Sequence, residues 1–492
     1  MKNFFGILCI ISIFLFGQNG AKALDIIYPQ QKKINAWKNE TYVLGNVQNG
    51  AKLTINGEEV KIYPQNIFCH IVTLKGGENK IVIEETTSKG KQTQIYTVNK
   101  PLPQKTAQKN NVQTKKPQIV CYKDLLSATV ITDGAPVREK PSVCGNRISH
   151  LSENTSLLLD AEFCDWFRIY TENPKETLWI YKKNVKTLYP VNNRYLANIR
   201  DIDFSKDKHF EKMTIALDFP VPYKLSENGN NLELTIWGIK DISEIQRKLT
   251  KQKVFPNLAV KTFENNNLTL FIPSDEILWG YDAEYNRNEL IFSKRKQPKI
   301  NPNKPLNNQI ICIDAGHGGK EKGTVGPSRI PEKDVNLAIS LFLKQELEKN
   351  GAKVVMTRET DTDTEIYGRP EFAKKEQAIM LISIHANSMV DGNPYKNHGV
   401  ETYYYHPQAK NLADTIKKQM VKELGLQDNG TNYASFVLTR PAMPVSVLVE
   451  VAYMPNPYEY LKLIDKNFQQ KTAVSICNGL KNYFSNQIPK KN

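Results

Sequence analysis

The pattern of apolar residues changes near residue 309, and this change constrains the fold more than any other feature of the chain. Before it, apolar and polar residues alternate in short runs; after it, nearly continuous apolar runs are separated by long amphipathic segments. Continuous apolar runs are typical of strands buried on both faces, and intervening helices let successive strands run parallel. The last third of the chain is therefore predicted to be an α/β domain, with a mostly parallel twisted sheet flanked by helices.

One long helix and six strands are predicted in this domain. Pro331 suits the first helical position, Glu332 and Asp334 enrich the first turn in negative charge, and Gly351 provides a stop signal. Glu332 is thus expected at a helix start, near the mouth of a loop. The predicted strands are 309–314, 353–357, 379–384, 400–405, 436–439 and 445–451.

Two segments, 100–117 and 294–308, have the composition of linkers. Both are rich in Pro, Lys, Asn and Gln, which do not bury a core. The length of 492 residues also favours three or four domains. The predicted units are a β-sandwich at 24–99, in which Asn56-Gly57 marks a hairpin, a small β-barrel at 118–189, a further β-rich domain at 190–293 and the α/β domain at 309–492.

Residues 1–23 have the features of a secretory signal peptide. Lys2 precedes an apolar run at 4–16, and Ala21 and Ala23 form a small-x-small cleavage site, so cleavage is predicted after Ala23. The alternative is a retained membrane anchor, but the run is shorter than the ~20 apolar residues that a span needs. We therefore expect an exported protein, in the periplasm, the cell wall or the medium, with no transmembrane segment after cleavage.

Four residues of the α/β domain are candidates for chemistry. His317 follows the first strand on a glycine-flanked turn, and His385 ends the third. Because the carboxyl ends of parallel strands share one edge, these imidazoles and Glu332 could meet there. Two imidazoles and one carboxylate are typical of a catalytic zinc, which keeps a fourth position for water. Glu450 ends an apolar strand, and since an unpaired buried carboxylate is costly, we expect it to face the metal and exchange protons there.

Each of these residues also has an ordinary explanation when it is taken singly. A histidine after a strand is more often a core or loop residue, Glu332 could simply favour a helix N-terminus, and Glu450 could pair with a lysine. Their expected convergence at one edge favours the catalytic interpretation. Two further histidines, His398 and His406, are assigned to the surface.

Short motifs of the domain recur in a recognisable order. The motifs are Asp-Ala-Gly-His-Gly-Gly at 314–319, Glu-Lys-Asp-Val-Asn-Leu at 332–337, Thr357-Arg358, Arg369, Ser-Ile-His-Ala-Asn at 383–387, Gly-Val-Glu at 399–401 and Leu-Val-Glu at 448–450. With these motifs the domain resembles the zinc-dependent N-acetylmuramoyl-L-alanine amidases of bacterial cell walls, over most of the family domain.

The resemblance implies a reaction and a set of roles. One Zn²⁺ per catalytic domain would be held by His317, Glu332 and His385, with Glu450 as the catalytic acid and base. Asn387 and Glu401 would contact the substrate or support the ligands. The reaction would be hydrolysis of the amide between the lactyl group of N-acetylmuramic acid and L-alanine in peptidoglycan.

The preceding modules resemble envelope domains less closely. Residues 118–189 are similar to the bacterial SH3-like module, in which a Val-Arg…Pro-Ser stretch precedes strands that here contain Trp166 and Trp179. That similarity implies peptidoglycan binding, although either tryptophan could be a core residue. Residues 24–99 resemble immunoglobulin-like modules of envelope enzymes, and 190–293 weakly resemble a β-rich envelope-targeting domain. Cys144 and Cys164 are the one local pair that could form a disulfide.

Charge and the remaining alternatives complete the expectations. The formal net charge of +15 favours anionic wall polymers or membrane surfaces, unless it merely reflects a lysine-rich proteome. Export argues against a nucleic-acid partner. Two other functions stay open: a zinc hydrolase of another envelope amide, which would release glucosamine rather than alanine amino termini if it were a deacetylase, and a non-catalytic wall-binding protein.

Overall fold

The computed structural model describes residues 24–102, 117–173, 176–191 and 195–488. The predicted signal peptide and most of the first predicted linker lie outside the described residues. The described chain is multidomain, with a strongly β-rich N-terminal part and a C-terminal α/β domain. Within these ranges, no helix combines the length and the apolar character needed to cross a bilayer.

The first module is a sandwich of two sheets that share one core. A three-stranded sheet of order β1-β3-β6 packs on a five-stranded sheet of order β2-β8-β7-β4-β5. The predicted hairpin is present at Asn56-Gly57, where both residues have positive φ. The strands are β1 (Asp25–Tyr28), β2 (Lys33–Asn35), β3 (Glu40–Asn46), β4 (Lys52–Ile55), β5 (Glu58–Glu59), β6 (Ile67–Thr73), β7 (Gly77–Thr87) and β8 (Gly90–Lys100), with a 3₁₀ turn at Pro64–Asn66.

The second module is one seven-stranded antiparallel sheet of order β11-β10-β14-β13-β12-β9-β15. Trp166 and Trp179 are both buried, so they are core aromatics. Cys144 and Cys164 are free thiols. The elements are β9 (Val120–Val130), β10 (Ala135–Arg138), β11 (Arg147–Leu151), β12 (Ser156–Phe163), β13 (Trp166–Ile169), β14 (Leu178–Tyr181), a 3₁₀ helix (Lys182–Asn184) and β15 (Val185–Val191).

The third module packs two four-stranded antiparallel sheets, β16-β17-β23-β22 and β18-β19-β21-β20, around a common apolar core. Alternation of apolar and polar residues along each strand gives each sheet one buried face. The elements are β16 (Ile199–Lys206), β17 (Phe210–Leu217), β18 (Tyr223–Asn228), β19 (Asn231–Trp237), α1 (Ser243–Leu249), β20 (Ala259–Glu264), β21 (Asn267–Ile272), β22 (Tyr281–Asn286) and β23 (Glu289–Arg295).

The α/β domain is built on a six-stranded sheet of order β25-β24-β26-β29-β27-β28. The first four strands are parallel, β27 is antiparallel to β29, and β28 is parallel to β27. The elements are β24 (Ile310–Ala315), α2 (Glu332–Lys349), β25 (Lys353–Met356), α3 (Gly368–Lys375), β26 (Met380–Asn387), β27 (Val400–Tyr404), α4 (Pro407–Leu424), β28 (Asp428–Tyr433), β29 (Val445–Tyr453), α5 (Pro457–Leu463) and α6 (Lys466–Ser485).

Both faces of this sheet are covered, which explains its apolar strands. Ile311 and Ile313 of β24 pack in the main core with α2, whereas Cys312 points to a second cluster with Ala373 of α3. The prediction of a mostly parallel sheet flanked by helices is confirmed for this domain. The side of α2 that faces the main core carries its buried apolar residues, Val335, Ile339, Leu343 and Leu347.

The strand predicted at 436–439 is wrong. Those residues form turns, with Phe436 exposed and Leu438 buried in the second cluster, and the sixth strand is β28 instead. An edge strand such as β28 needs a regular backbone but no apolar run, so its polar sequence gave no signal.

The segment at 294–308 packs against the core of the α/β domain although its composition is that of a linker. Leu306 is completely buried among core residues of the α/β domain. Nearby, Lys374 of α3 forms ion pairs of 2.7 Å with both Asp282 and Glu284 of the third module. The third module and the α/β domain are therefore in direct contact.

Candidate metal centre

The structure brings His317, Glu332 and His385 together at the carboxyl edge of the parallel strands. Glu332 Oε1 lies 3.2 Å from His317 Nε2 and 3.0 Å from His385 Nδ1. One potential ligand atom from each residue lies within 4.8 Å of the other two. Imidazole nitrogens with one carboxylate oxygen form a donor set that suits zinc, so these three residues could hold such an ion.

Glycines make this convergence sterically feasible. A Cβ atom at Gly316 would lie 2.4 Å from the His385 ring, and one at Gly323 would lie 2.5 Å from Glu332 Oε2. His317 itself has a φ of 61°, in the left-handed region. The glycine-flanked turn after β24 therefore leaves room for the ligands that arrive from α2 and β26.

The buried carboxylate of Asp314 connects the elements that surround the turn. Asp314, which is fully buried, accepts hydrogen bonds from Thr357 Oγ1 at 2.6 Å and Ser383 Oγ at 2.7 Å. It also pairs with Arg369 Nη1 at 3.0 Å. Asp314, three residues before His317, thus links β24 to β26 and to the start of α3.

Two arginines hold the backbone of the turn itself. Arg358 donates from Nε to Ala315 O and from Nη2 to Gly316 O, both at 2.9 Å. Arg369 Nη2 donates to His317 O at 2.9 Å. Both arginines belong to the sequence motifs, but sequence reasoning gave them no role, because nothing in the chain indicates which turn carbonyls need a donor.

The side chain of Glu332 is held in its charged form. Burial alone would raise the pKa of Glu332, but the hydrogen bonds with His317 and His385 outweigh it and bring that pKa well below its usual range. Its oxygens also accept from Thr324 N at 2.9 Å and Asn336 Nδ2 at 3.1 Å. The carboxylate is therefore oriented by donors from both sides before any ion binds.

Glu450 lies on β29 directly opposite His385 on one side and Glu401 on the other. Its Oε2 atom is buried and has no hydrogen-bond partner among the described residues. Burial, followed by the charges of Glu332 and Glu401, raises the pKa of Glu450 well above its usual value. A carboxyl group in this position can hold a proton for transfer.

Glu401 forms the centre of a hydrogen-bonded cluster beside Glu450. It accepts from Asn387 Nδ2 at 2.9 Å and Tyr453 OH at 2.7 Å, and also from Tyr403 OH and Asn429 Nδ2. Sequence reasoning singled out Asn387 and Glu401 but missed the other three. Tyr403 carried a usable signal, since a residue two positions after Glu401 on a strand shares its face.

His398 and His406 were expected at the surface, and that assignment is wrong. His398 Nδ1 lies 3.1 Å from Glu459 Oε1. His406 lies 3.0 Å from Tyr281 OH and 2.6 Å from Arg440 O, and burial lowers its pKa to about 4. Both rings are partly buried structural groups outside the metal centre.

Comparisons with known proteins match the same part of the chain. The family described as N-acetylmuramoyl-L-alanine amidase matches residues 311–482. The chain is 36% identical over 185 residues to the uncharacterized protein YqiI of Bacillus subtilis (strain 168), covering 37% of this chain and 87% of that protein. It is 31% identical over 201 residues to the germination-specific N-acetylmuramoyl-L-alanine amidase of the same organism, covering 37% of this chain and 82% of that one.

Among solved structures, the catalytic domain of CwlV, an N-acetylmuramoyl-L-alanine amidase from Bacillus (Paenibacillus) polymyxa var. colistinus, is 38% identical in sequence. The match covers 36% of this chain and 97% of that domain, with a TM-score of 0.34.

Proposed function

Because this chain belongs to the N-acetylmuramoyl-L-alanine amidase family, we propose that it is a peptidoglycan hydrolase that cleaves the amide between the lactyl group of N-acetylmuramic acid and L-alanine. The convergence of His317, Glu332 and His385 within 4.8 Å is the observation that carries the proposal. We assign these residues as the ligands of one Zn²⁺ ion. Glu450 is assigned as the catalytic acid and base.

The roles follow from the donors and charges at the site. When bound, zinc polarises the scissile carbonyl and lowers the pKa of a water molecule. Asn336 and Thr324 orient the Glu332 carboxylate, and the two arginines fix the His317 turn. Glu450 takes a proton from the attacking water and passes it to the leaving nitrogen of L-alanine. A nearby cation would favour the ionised form of Glu450 and so bring its pKa toward the range where both steps are feasible.

Asn387 and Glu401 are assigned supporting positions. The Glu401 carboxylate adds negative charge beside Glu450 and is itself held by four donors. It thereby helps to keep a proton on Glu450 until the leaving amine needs it. Asn387 connects the end of the His385 strand to this cluster, where it can also meet the substrate.

The test uses sacculi digested by the purified mature chain, with products identified by mass spectrometry. The wild-type protein should create free L-alanine amino termini. Glu450→Gln should retain zinc but lose turnover, and His317→Ala should lose zinc itself. Glu348→Gln, an exposed change on α2, is the matched control and should behave like the wild type. Full hydrolysis by Glu450→Gln would contradict the assigned role.

The same products distinguish the alternative reactions. Glucosamine in place of alanine amino termini would identify a deacetylase, and an inert protein with zinc bound would identify a wall-binding scaffold. The second alternative is disfavoured because all four proposed ligand and catalytic residues are present.

We further propose export through the signal peptide at 1–23 and action outside the cytoplasm. The support is the similarity of this chain to a probable cell wall amidase, LytH of Staphylococcus aureus. Residues 118–189 are proposed as an SH3-like wall-binding module and 24–99 as an immunoglobulin-like sandwich. Since Trp166 and Trp179 are buried, wall binding by the SH3-like module would use other residues. Failure of that module's surface variants to change sedimentation with sacculi would reject its role.

Anionic wall polymers are a proposed second ligand class. A cavity of about 1200 Å³ lies between the second module, the third module and the α/β domain, and Arg147 and Arg440 line it. Burial, followed by the charge of Arg147, lowers the pKa of Arg440, and an anion bound between the two arginines would offset their mutual repulsion. Acidic residues also line the cavity: Asp133, Glu227, Asp282 and Glu371. Binding to walls that retain these polymers should weaken as salt rises, and salt-independent binding would exclude this contribution.

A further inference from the structure

The N-terminal sandwich packs against the edge of the α/β domain that carries the metal centre. The loop between His317 and Glu332 contacts it through Arg329, whose Nε donates to Asp25 at 2.5 Å, and through Pro327 O, which accepts from Asn46 Nδ2 at 2.8 Å. This loop leaves the carboxyl end of β24.

The loop after β26 makes the larger share of these contacts. Met389 O accepts from Tyr42 OH at 2.7 Å, and Asp391 Oδ2 accepts from Trp37 N at 2.8 Å. Further along, Tyr395 OH donates to Cys69 O at 2.9 Å. The loop that directly follows His385 is therefore fixed to the sandwich at several points.

The third contact comes from the start of α5, beyond the end of β29. Tyr458 OH accepts from Lys61 Nζ at 3.0 Å, and its ring packs edge-on against Tyr63 at 5.1 Å. Loops from three successive sheet strands thus meet the sandwich on the side where the proposed ligands converge. The sandwich therefore flanks the edge of the sheet at which the proposed ligands lie.

The sandwich has one unusually exposed side chain, that of Trp37. Trp37 is 75% exposed, whereas the other four tryptophans are 7% exposed or less. Its backbone is fixed by Asp391, which is itself buried, and Val390 next to that contact is 81% exposed. Because Val390 follows His385 by five residues, their Cα atoms lie at most about 18 Å apart. The indole of Trp37 is therefore exposed to solvent beside the loop that follows His385, on a backbone that Asp391 fixes.

We propose that Trp37, with Val390, forms a subsite for a sugar ring of the glycan strand. The inference rests on the proposed function, since the scissile amide is attached to a sugar of that strand. An indole offers a flat apolar face and an N–H donor, which match the C–H face and the hydroxyls of a pyranose. The neighbouring charges are paired with each other, Lys38 Nζ with Asp391 Oδ1 at 3.8 Å, so the patch favours a neutral sugar over a charged stem peptide.

Intrinsic fluorescence tests the subsite without requiring turnover. Since Trp37 is the only exposed tryptophan of the chain, acrylamide quenching reports mainly on it. The full chain is titrated with the β-1,4-linked tetramer of N-acetylglucosamine. Emission should shift, and quenching should fall, in the wild type but not in Trp37→Phe. An unresponsive wild type, or an equal response in Trp37→Phe, would overturn the proposal.

Kinetics on sacculi provide the second readout. Trp37→Ala should raise KM about tenfold, with zinc content and kcat unchanged, because only glycan binding is lost. Ile95→Ala removes another exposed apolar side chain (45%) from the same sandwich and is the matched control. An unchanged KM in Trp37→Ala would also reject the subsite. If the wild type released no alanine termini while the tetramer still protected Trp37, the proposed reaction would fail and the sugar subsite would stand.

Discussion

Replacing Arg369 with methionine should both destabilise the α/β domain and weaken metal binding. The Arg369 and Asp314 side chains are 7% and 0% exposed, so the change leaves a buried carboxylate without its cation. Breaking a buried ion pair from one side costs about 3–5 kcal/mol of unfolding free energy. Because Thr357 and Ser383 still donate to Asp314, we expect a loss near the lower end, about 3 kcal/mol.

Urea unfolding and zinc titration measure the two effects. With a slope of roughly 3 kcal/mol per molar urea, the midpoint of the α/β transition should fall by about 1 M. Loss of the donor to His317 O should lower zinc affinity by roughly 10- to 100-fold, the usual range for groups that orient ligands. Arg200→Met, which removes a 66% exposed arginine paired with Asp218, is the control and should cost less than about 1 kcal/mol. If Arg369→Met matched this control in both assays, the supporting role of the buried pair would be refuted.

Three further changes test other parts of the chain. Gly316→Ala should lower bound zinc, measured by atomic emission, because its Cβ would lie 2.4 Å from the His385 ring; full zinc content would contradict this packing. Tyr453→Phe removes one donor to Glu401 and should reduce kcat with zinc retained, whereas unchanged kcat would separate that cluster from catalysis. Burial raises the pKa of Glu227 to about 7, so the neutral form is favoured in the folded state. The free energy of unfolding of the wild type, relative to that of Glu227→Gln, should therefore be highest below pH ~4.3 and should fall by about 1.4 kcal/mol per pH unit as the pH rises toward ~7. If the thermal midpoints of the two proteins ran parallel across this range, the shift in the pKa of Glu227 would be excluded.

The core of the α/β domain could be predicted because its strands carry their own signal. Segments such as β26 and β29 are mostly apolar and are buried along nearly their whole length. The same apolar signal predicted a strand at 436–439, where a short apolar run instead places Leu438 in the core from a turn. It also missed β28, an edge strand with a polar sequence. Composition was misleading at 294–308, since two apolar residues of this polar segment, Ile300 and Leu306, pack against the core.

The convergence of His317, Glu332 and His385 could be predicted because few residue types bind a metal ion and because parallel strands end at one edge of the sheet. Their supporting shell could not be, since Arg358 and Arg369 act on backbone carbonyls whose orientation only the folded turn defines. The contact between the N-terminal sandwich and the α/β domain could not be predicted from the sequence either. It depends on tyrosine hydroxyls such as those of Tyr42 and Tyr395, and single hydroxyl–carbonyl contacts leave no periodic pattern in a sequence.

The left-handed backbone of His317 sets a limit on how this domain can be stabilised. A side chain with a Cβ atom loses roughly 1–2 kcal/mol in that conformation relative to glycine. Glycine would therefore be the better residue for folding at this position, and it would bring no imidazole. A histidine here costs turn stability and supplies an imidazole to the candidate metal centre. Selection of variants for thermal stability alone would therefore favour its replacement.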